Sequence, residues 1–123
     1  MTYDEILSSM PVGLDRAVLS ILSQREGMDA AIKKHDMMQL LRNMGFKADE
    51  RQVRLAISRL RKIGHIIGST NQAGYFMCSS RKEWAFVKDT EFLAKVGDIM
   101  DTIRTLDESA RERWGDGYQE AMF

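Results

Sequence analysis

Asp49-Glu50-Arg51-Gln52-Val53-Arg54-Leu55-Ala56-Ile57-Ser58-Arg59-Leu60-Arg61-Lys62 is the run on which the reading of this 123-residue chain turns. Asp49 has the short acceptor side chain that suits a helix N-cap, and Gln52, three residues on, can bond back to it. Each helical residue advances about 100°. Val53, Ala56, Ile57, Leu60 and Ile63 therefore fall in one sector, and Arg51, Leu55, Ser58 and Lys62 in the opposite one. Arg54 and Arg61 flank the second sector on one side, Gln52 and Arg59 on the other. The spacing predicts a helix running to Lys62 or Ile63 and stopped by Gly64. One face is apolar, and the other is cationic, with Glu50 its only acid after the cap.

Upstream, Met37, Met38, Leu40, Leu41 and Met44 predict a second helix over 34–44, ended by Gly45, with Phe46 as an apolar plug. The methionines at 37, 38 and 44 read as core filler, because Met adapts to irregular gaps. Leu14, Val18, Ile21 and Leu22, widened by Leu19, predict a helix over Leu14–Arg25. Thr2 and Glu5 have the spacing of a capping box, which suggests a short helix near Thr2–Ser9. Ala30, Ala31 and Ile32 form either an extended link or the run-in to the next helix. Downstream, His65-Ile66-Ile67-Gly68-Ser69 and Tyr75-Phe76-Met77-Cys78 are two β-rich runs around a polar turn, Thr70-Asn71-Gln72-Ala73-Gly74, and predict a hairpin. Tyr75 is expected to pack on the third helix, and Cys78 to be a small buried residue.

The order helix, helix, tight turn, helix, hairpin gives a mainly α fold with a small β-hairpin. Its simplest form is a winged helix-turn-helix followed by a long C-terminal helix. The expected organisation is an N-terminal arm at 1–13, a winged helix-turn-helix domain at 14–81, a helix at 82–114 and a flexible tail at 115–123. Only Gly97 interrupts good helix formers in the third segment. Leu93, Val96, Met100 and Ile103 follow 3-4-3 spacing, continued by Leu106 and Ala110. That stripe must be buried, either on the chain's own first helix or on a second copy, and a homodimer is the expected arrangement.

The zero net charge hides a block pattern. Residues 1–32 sum to −3, residues 33–82 to +8 and residues 83–123 to −5. A charged partner meets one face and not the average, so the central block matters more than the overall balance. No apolar run approaches the roughly 20 residues that span a bilayer. The N-terminus lacks the basic and apolar regions of a secretory signal. The single Cys78 agrees with a reducing cytoplasm, and with two histidines it supplies too few ligands for zinc. No phosphate-cradling glycine loop or nucleophile–base arrangement is visible. The expectation is a cytoplasmic non-enzyme with no cofactor, metal or small-molecule ligand.

A cationic helix preceded by a tight turn suits the major groove of duplex DNA. Arg can bond a guanine edge with two hydrogen bonds, Gln an adenine, Ser either, and an apolar side chain can meet a thymine methyl. Arg51, Gln52, Leu55 and Ser58 are the candidate base contacts, since the N-terminal half of such a helix meets the bases. Lys33, Lys34, Arg54, Arg59, Lys62, Arg81 and Lys82 are the candidate phosphate contacts. Asn71 and Gln72 mark the hairpin tip, and Leu93, Val96, Met100, Ile103 and Leu106 mark the dimer stripe.

Asp49-Glu50-Arg51-Gln52-Val53-Arg54 through Leu60-Arg61, with Ile67 to Phe76 behind it, resembles the small winged-helix proteins of bacteriophages and prophages. The resemblance spans roughly 14–113 and implies DNA binding, in transcription, replication initiation or excision. The leading expectation is a dimeric, sequence-specific transcriptional regulator. The alternatives are an accessory protein at a replication origin or in excision, and a winged helix that serves only as a protein-interaction module.

Overall fold

In a computed structural model of the chain, residues 2–115 are described. They fold as α1 (Tyr3–Ser9), α2 (Leu14–Leu22), a 3-10 turn (Met28–Ala30), α3 (Lys34–Asn43) and α4 (Glu50–Lys62). Strands β1 (Ile67–Thr70) and β2 (Gly74–Met77) follow, then α5 (Arg81–Val87), a π-helical stretch (Lys88–Leu93) and α6 (Ala94–Trp114). The fold is mainly helical, with one small antiparallel sheet and a long C-terminal helix. The part of the expected tail beyond Gly115 lies outside the described residues.

Two compact units divide the chain between Val87 and Lys88. In the first, α2, α3 and α4 enclose a core of Val18, Leu19, Leu22, Met37, Leu41, Val53, Ala56, Ile57 and Leu60, all buried. These are the inward positions of three helical stripes, which is why helical spacing located them. α1 belongs to the same unit and is not a separate arm. Tyr3, Ile6, Leu7 and Met10 pack against this core, and a Thr2–Glu5 capping box starts the helix. At the other end the unit continues past residue 81 to the fully buried Val87. Glu83 of α5 ties it back, accepting a hydrogen bond from the Met28 amide at 3.1 Å.

In the hairpin, Ile67 pairs with Met77, Gly68 with Phe76, Ser69 with Tyr75 and Thr70 with Gly74. The far edge of β2 is also occupied. Ile32 and Tyr75 exchange both backbone hydrogen bonds at 2.8 Å, the Gly27 amide donates to Met77 and the Met77 amide to Arg25, each at 2.8 Å. This resolves the segment left open in the sequence: Ile32 is an extended, buried bridge to β2, not the start of α3. It also explains why α2 ends at Leu22 rather than Arg25, whose carbonyl serves the sheet. β2 passes close to this edge at Gly74, whose φ of +99° and lack of a side chain admit the Ile32 carbonyl.

Three expected core positions are less buried than their spacing implies. Ile63 is 70% exposed and Met44 48% exposed. Each is the C-cap of its helix, where the following glycine turns the chain away before the stripe completes another turn. Cys78 is half-buried, one residue past the end of β2. Tyr75 packs against the core.

The second unit contains the π-helical stretch and α6. The expected single helix over 82–114 is thus helical throughout but not uniform. No side chain of α6 is buried, and no helix among the described residues is long and apolar enough to cross a membrane.

Candidate nucleic-acid interface

α4 is fixed at its start by reciprocal bonds. The Gln52 amide donates to Asp49 Oδ1 at 2.8 Å, and the Asp49 amide donates to Gln52 Oε1 at 2.9 Å. Two otherwise orphaned donors at the helix N-terminus are satisfied in this way. Burial of Val53, Ala56, Ile57 and Leu60 then turns the opposite ridge outward. Arg51, Leu55 and Lys62 are exposed and Ser58 is half-buried. Leu55, an apolar side chain among cations, is 45% exposed. Arg51 and Lys62 make no side-chain hydrogen bond or ion pair to any described residue. Gln52 reaches the same surface with its carbonyl oxygen engaged by the cap and its amide donors still available.

The other cations of this face are engaged. One carboxylate oxygen of Glu50 accepts from Lys34 Nζ at 2.6 Å and from Arg54 Nη1 at 3.3 Å, which ties the start of α3 to the start of α4. The hydrogen bond and charge of Lys34, reinforced by Arg54, hold the Glu50 carboxyl below the usual carboxylate range. The Glu50 carboxylate thus stays ionised, with its charge balanced by two cations of the same surface.

Arg59 makes a two-pronged pair with Asp15 of α2, Nε to Oδ2 at 2.9 Å and Nη2 to Oδ1 at 2.7 Å. Its guanidinium is thereby held still more firmly protonated. Arg61 turns the other way: its Nε donates to the Ile67 carbonyl at 2.9 Å and its Nη2 to Ser69 Oγ at 3.2 Å, which fastens α4 to β1.

The remaining candidates are dispersed. Lys33 is exposed at the N-cap of α3, beside the Ile32 bridge. Asn71 and Gln72 are exposed at the hairpin tip, where Thr70 Oγ1 accepts from the Ala73 amide at 2.8 Å and closes the turn. Arg81 and Lys82 are exposed on the first turn of α5. Leu93, Val96, Met100, Ile103 and Leu106 are exposed along the second unit, together with Ile99. Among the described residues no cluster of three or more His, Cys, Asp or Glu side chains converges as a metal site would.

No protein-family model, curated protein or solved structure matches this chain. The α4 surface must therefore be argued from its own chemistry. Sequence reasoning grouped Arg61 with the outward cations, whereas it turns to β1, and it missed the partners of the others. Asp15 lies 44 residues from Arg59, and no local spacing announces that pair. The Lys34–Glu50 link follows from the packing of α3 on α4, which a one-dimensional pattern does not contain.

Proposed function

We propose that this protein binds duplex DNA sequence-specifically as a winged helix-turn-helix regulator of transcription, of the kind that the small phage proteins represent. In this reading α3 and α4 are the helix-turn-helix, α4 lies in the major groove and the β1–β2 hairpin is the wing. The observation that carries it is the outward ridge of α4: Arg51, Leu55, Ser58 and Lys62, with Arg51 and Lys62 unengaged and Glu50 paired with Lys34 and Arg54. Arg51 stands in the first turn, where a recognition helix meets base edges, and would donate to a guanine. Leu55 would meet a thymine methyl and Ser58 either base type. Lys62, at the far end, would meet phosphate. Lys34, Arg54 and Arg59 are held in exposed ion pairs, which contribute little to stability, so exchanging a carboxylate for a phosphate is feasible for each.

Fluorescence anisotropy on duplex fragments, titrated with salt, tests this. The Arg51→Ala variant is expected to lose about 1–3 kcal/mol of discrimination at one base pair. Lys62→Ala should weaken all sequences alike and flatten the log–log salt slope by about 0.9. Absence of binding to any fragment at low salt would refute DNA binding and leave the protein-interaction reading.

A further inference from the structure

Glu50 is the first residue of α4, and the fold engages only half of its carboxylate. Oε1 accepts from Lys34 Nζ at 2.6 Å and from Arg54 Nη1 at 3.3 Å. Oε2 accepts from no described residue, and the side chain is 46% exposed. A carboxylate anchored through one oxygen by two cations presents the other in a restricted direction. We infer that Glu50 is a specificity-determining residue, whose free oxygen accepts a hydrogen bond from the N4 amino group of a cytosine in the major groove. This rests on the DNA-binding reading of α4 proposed above.

The chemistry of the group selects the base. An ionised carboxylate only accepts, and Lys34 and Arg54 keep it ionised by lowering its pKa. Guanine and thymine offer no hydrogen-bond donor in the major groove, so both would repel it. Adenine offers an amino group, but its N7 acceptor lies alongside and would face the same charge. Cytosine offers the N4 amino group with no acceptor of its own beside it.

A lone carboxylate in the groove would be repelled by the phosphates, whose charge dominates binding. This carboxylate comes with two cations, so the group as a whole is positive. An ammonium and a guanidinium carry several donors each, and Lys34 and Arg54 each spend one on Glu50. Both can therefore meet phosphates and hold Glu50 at the same time. The placement agrees, because a recognition helix meets base edges with its N-terminal residues. Adjacent Cα atoms are about 3.8 Å apart, close to the roughly 3.4 Å step between bases. The cytosine is thus expected within about two base pairs of the guanine that Arg51 reads.

Selection from a randomised duplex library tests this, using the full chain and its Arg51→Ala, Glu50→Ala and Glu50→Gln variants. The unaltered chain should enrich a motif with one cytosine close to the guanine whose preference Arg51→Ala loses. Glu50→Ala should relax the cytosine position at least about fivefold, the lower end of a base-specific contact, and leave the rest of the motif in place. Glu50→Gln should invert that position. Only the amide oxygen can keep Lys34 and Arg54, so the amide nitrogen, a donor, replaces Oε2, and cytosine should give way to guanine or thymine. Both Glu50 variants should keep the circular dichroism of the unaltered chain, since exposed ion pairs contribute little to stability. A motif without such a cytosine, or one that both variants enrich unchanged while binding all sequences more tightly, would overturn the inference and leave Glu50 a partner of cations alone. Enrichment of no motif by the unaltered chain would overturn the DNA reading itself, and the inference with it.

Discussion

Replacing Gly74 by alanine is expected to destabilise the first unit far more than the loss of one glycine suggests. At φ +99° an L-residue is strained, and a Cβ built there overlaps the Ile32 carbonyl oxygen, with the Ile32 carbonyl carbon at 2.7 Å and Lys33 Cα at 2.8 Å. All three atoms are backbone, so no side chain can swing aside. The left-handed conformation costs roughly 1–2 kcal/mol. Relief of the overlap requires Ile32 to leave β2, which forfeits the two 2.8 Å backbone bonds with Tyr75, roughly 0.5–1.5 kcal/mol each. The total is about 3 kcal/mol, and for a unit of this size that lowers Tm by about 12–24 °C. Thermal unfolding followed by circular dichroism measures it. Gly64→Ala is the control: Gly64 has a similar φ of +105° but nothing within 4 Å of its Cβ position, so it reports the conformational cost alone. If Gly74→Ala unfolds no earlier than Gly64→Ala, the close approach of Ile32 is not what requires glycine, and the reasoning fails.

Asp15→Asn should release Arg59 from its two-pronged pair with little change in stability, because the partners are 54% and 34% exposed. If Arg59 then meets phosphate, affinity for all duplexes rises and the salt slope steepens by up to about 0.9; an unchanged slope would take Arg59 off the interface. His65, beside the Tyr3 ring at 6.4 Å, has its pKa lowered by burial from the ordinary 6.5. Its folded pKa lies below its unfolded one, so the unfolded chain binds the proton more readily. Stability is then full above pH 6.5 and is lost as pH falls towards the lowered folded value. Urea midpoints across this window should drop for the native chain and stay level for His65→Gln; equal slopes would show that another group is responsible.

What the sequence reveals here is what depends on neighbours in the chain. Both capping boxes were readable because an N-cap acceptor and its partner three residues on are one local device, and the structure contains both. The core faces of α2, α3 and α4 were readable because helical period and burial coincide over several turns. Ile63 and Met44 escaped because periodicity does not register that a helix has ended. Ile32 escaped because its pairing with Tyr75 joins residues far apart in sequence, and the run Ala30-Ala31-Ile32 is compatible with strand or helix until β2 is in place. The π-helical stretch over Lys88–Leu93 escaped for a related reason. Helical spacing predicts one constant pitch from 82 to 114, whereas a π turn accommodates extra residues that no periodic pattern announces.

The cations of α4 carry the sharper lesson, because composition counts them as equals and folding does not. Arg61 is committed to β1, Arg59 to Asp15, and Arg54 shares Glu50 with Lys34. Arg51 and Lys62 remain, 11 residues apart on one ridge, and therefore about 16 Å apart along the helix axis. The major groove is only about 12 Å wide. If Arg51 sits at the groove floor, Lys62 has already emerged at the phosphate backbone, and the two cannot do the same work. In the DNA-binding reading proposed above, a division between a base-reading residue and a phosphate-binding residue would thus follow from the length of α4 and from which of its arginines the fold has already claimed. A sequence-wide charge of zero has no bearing on it.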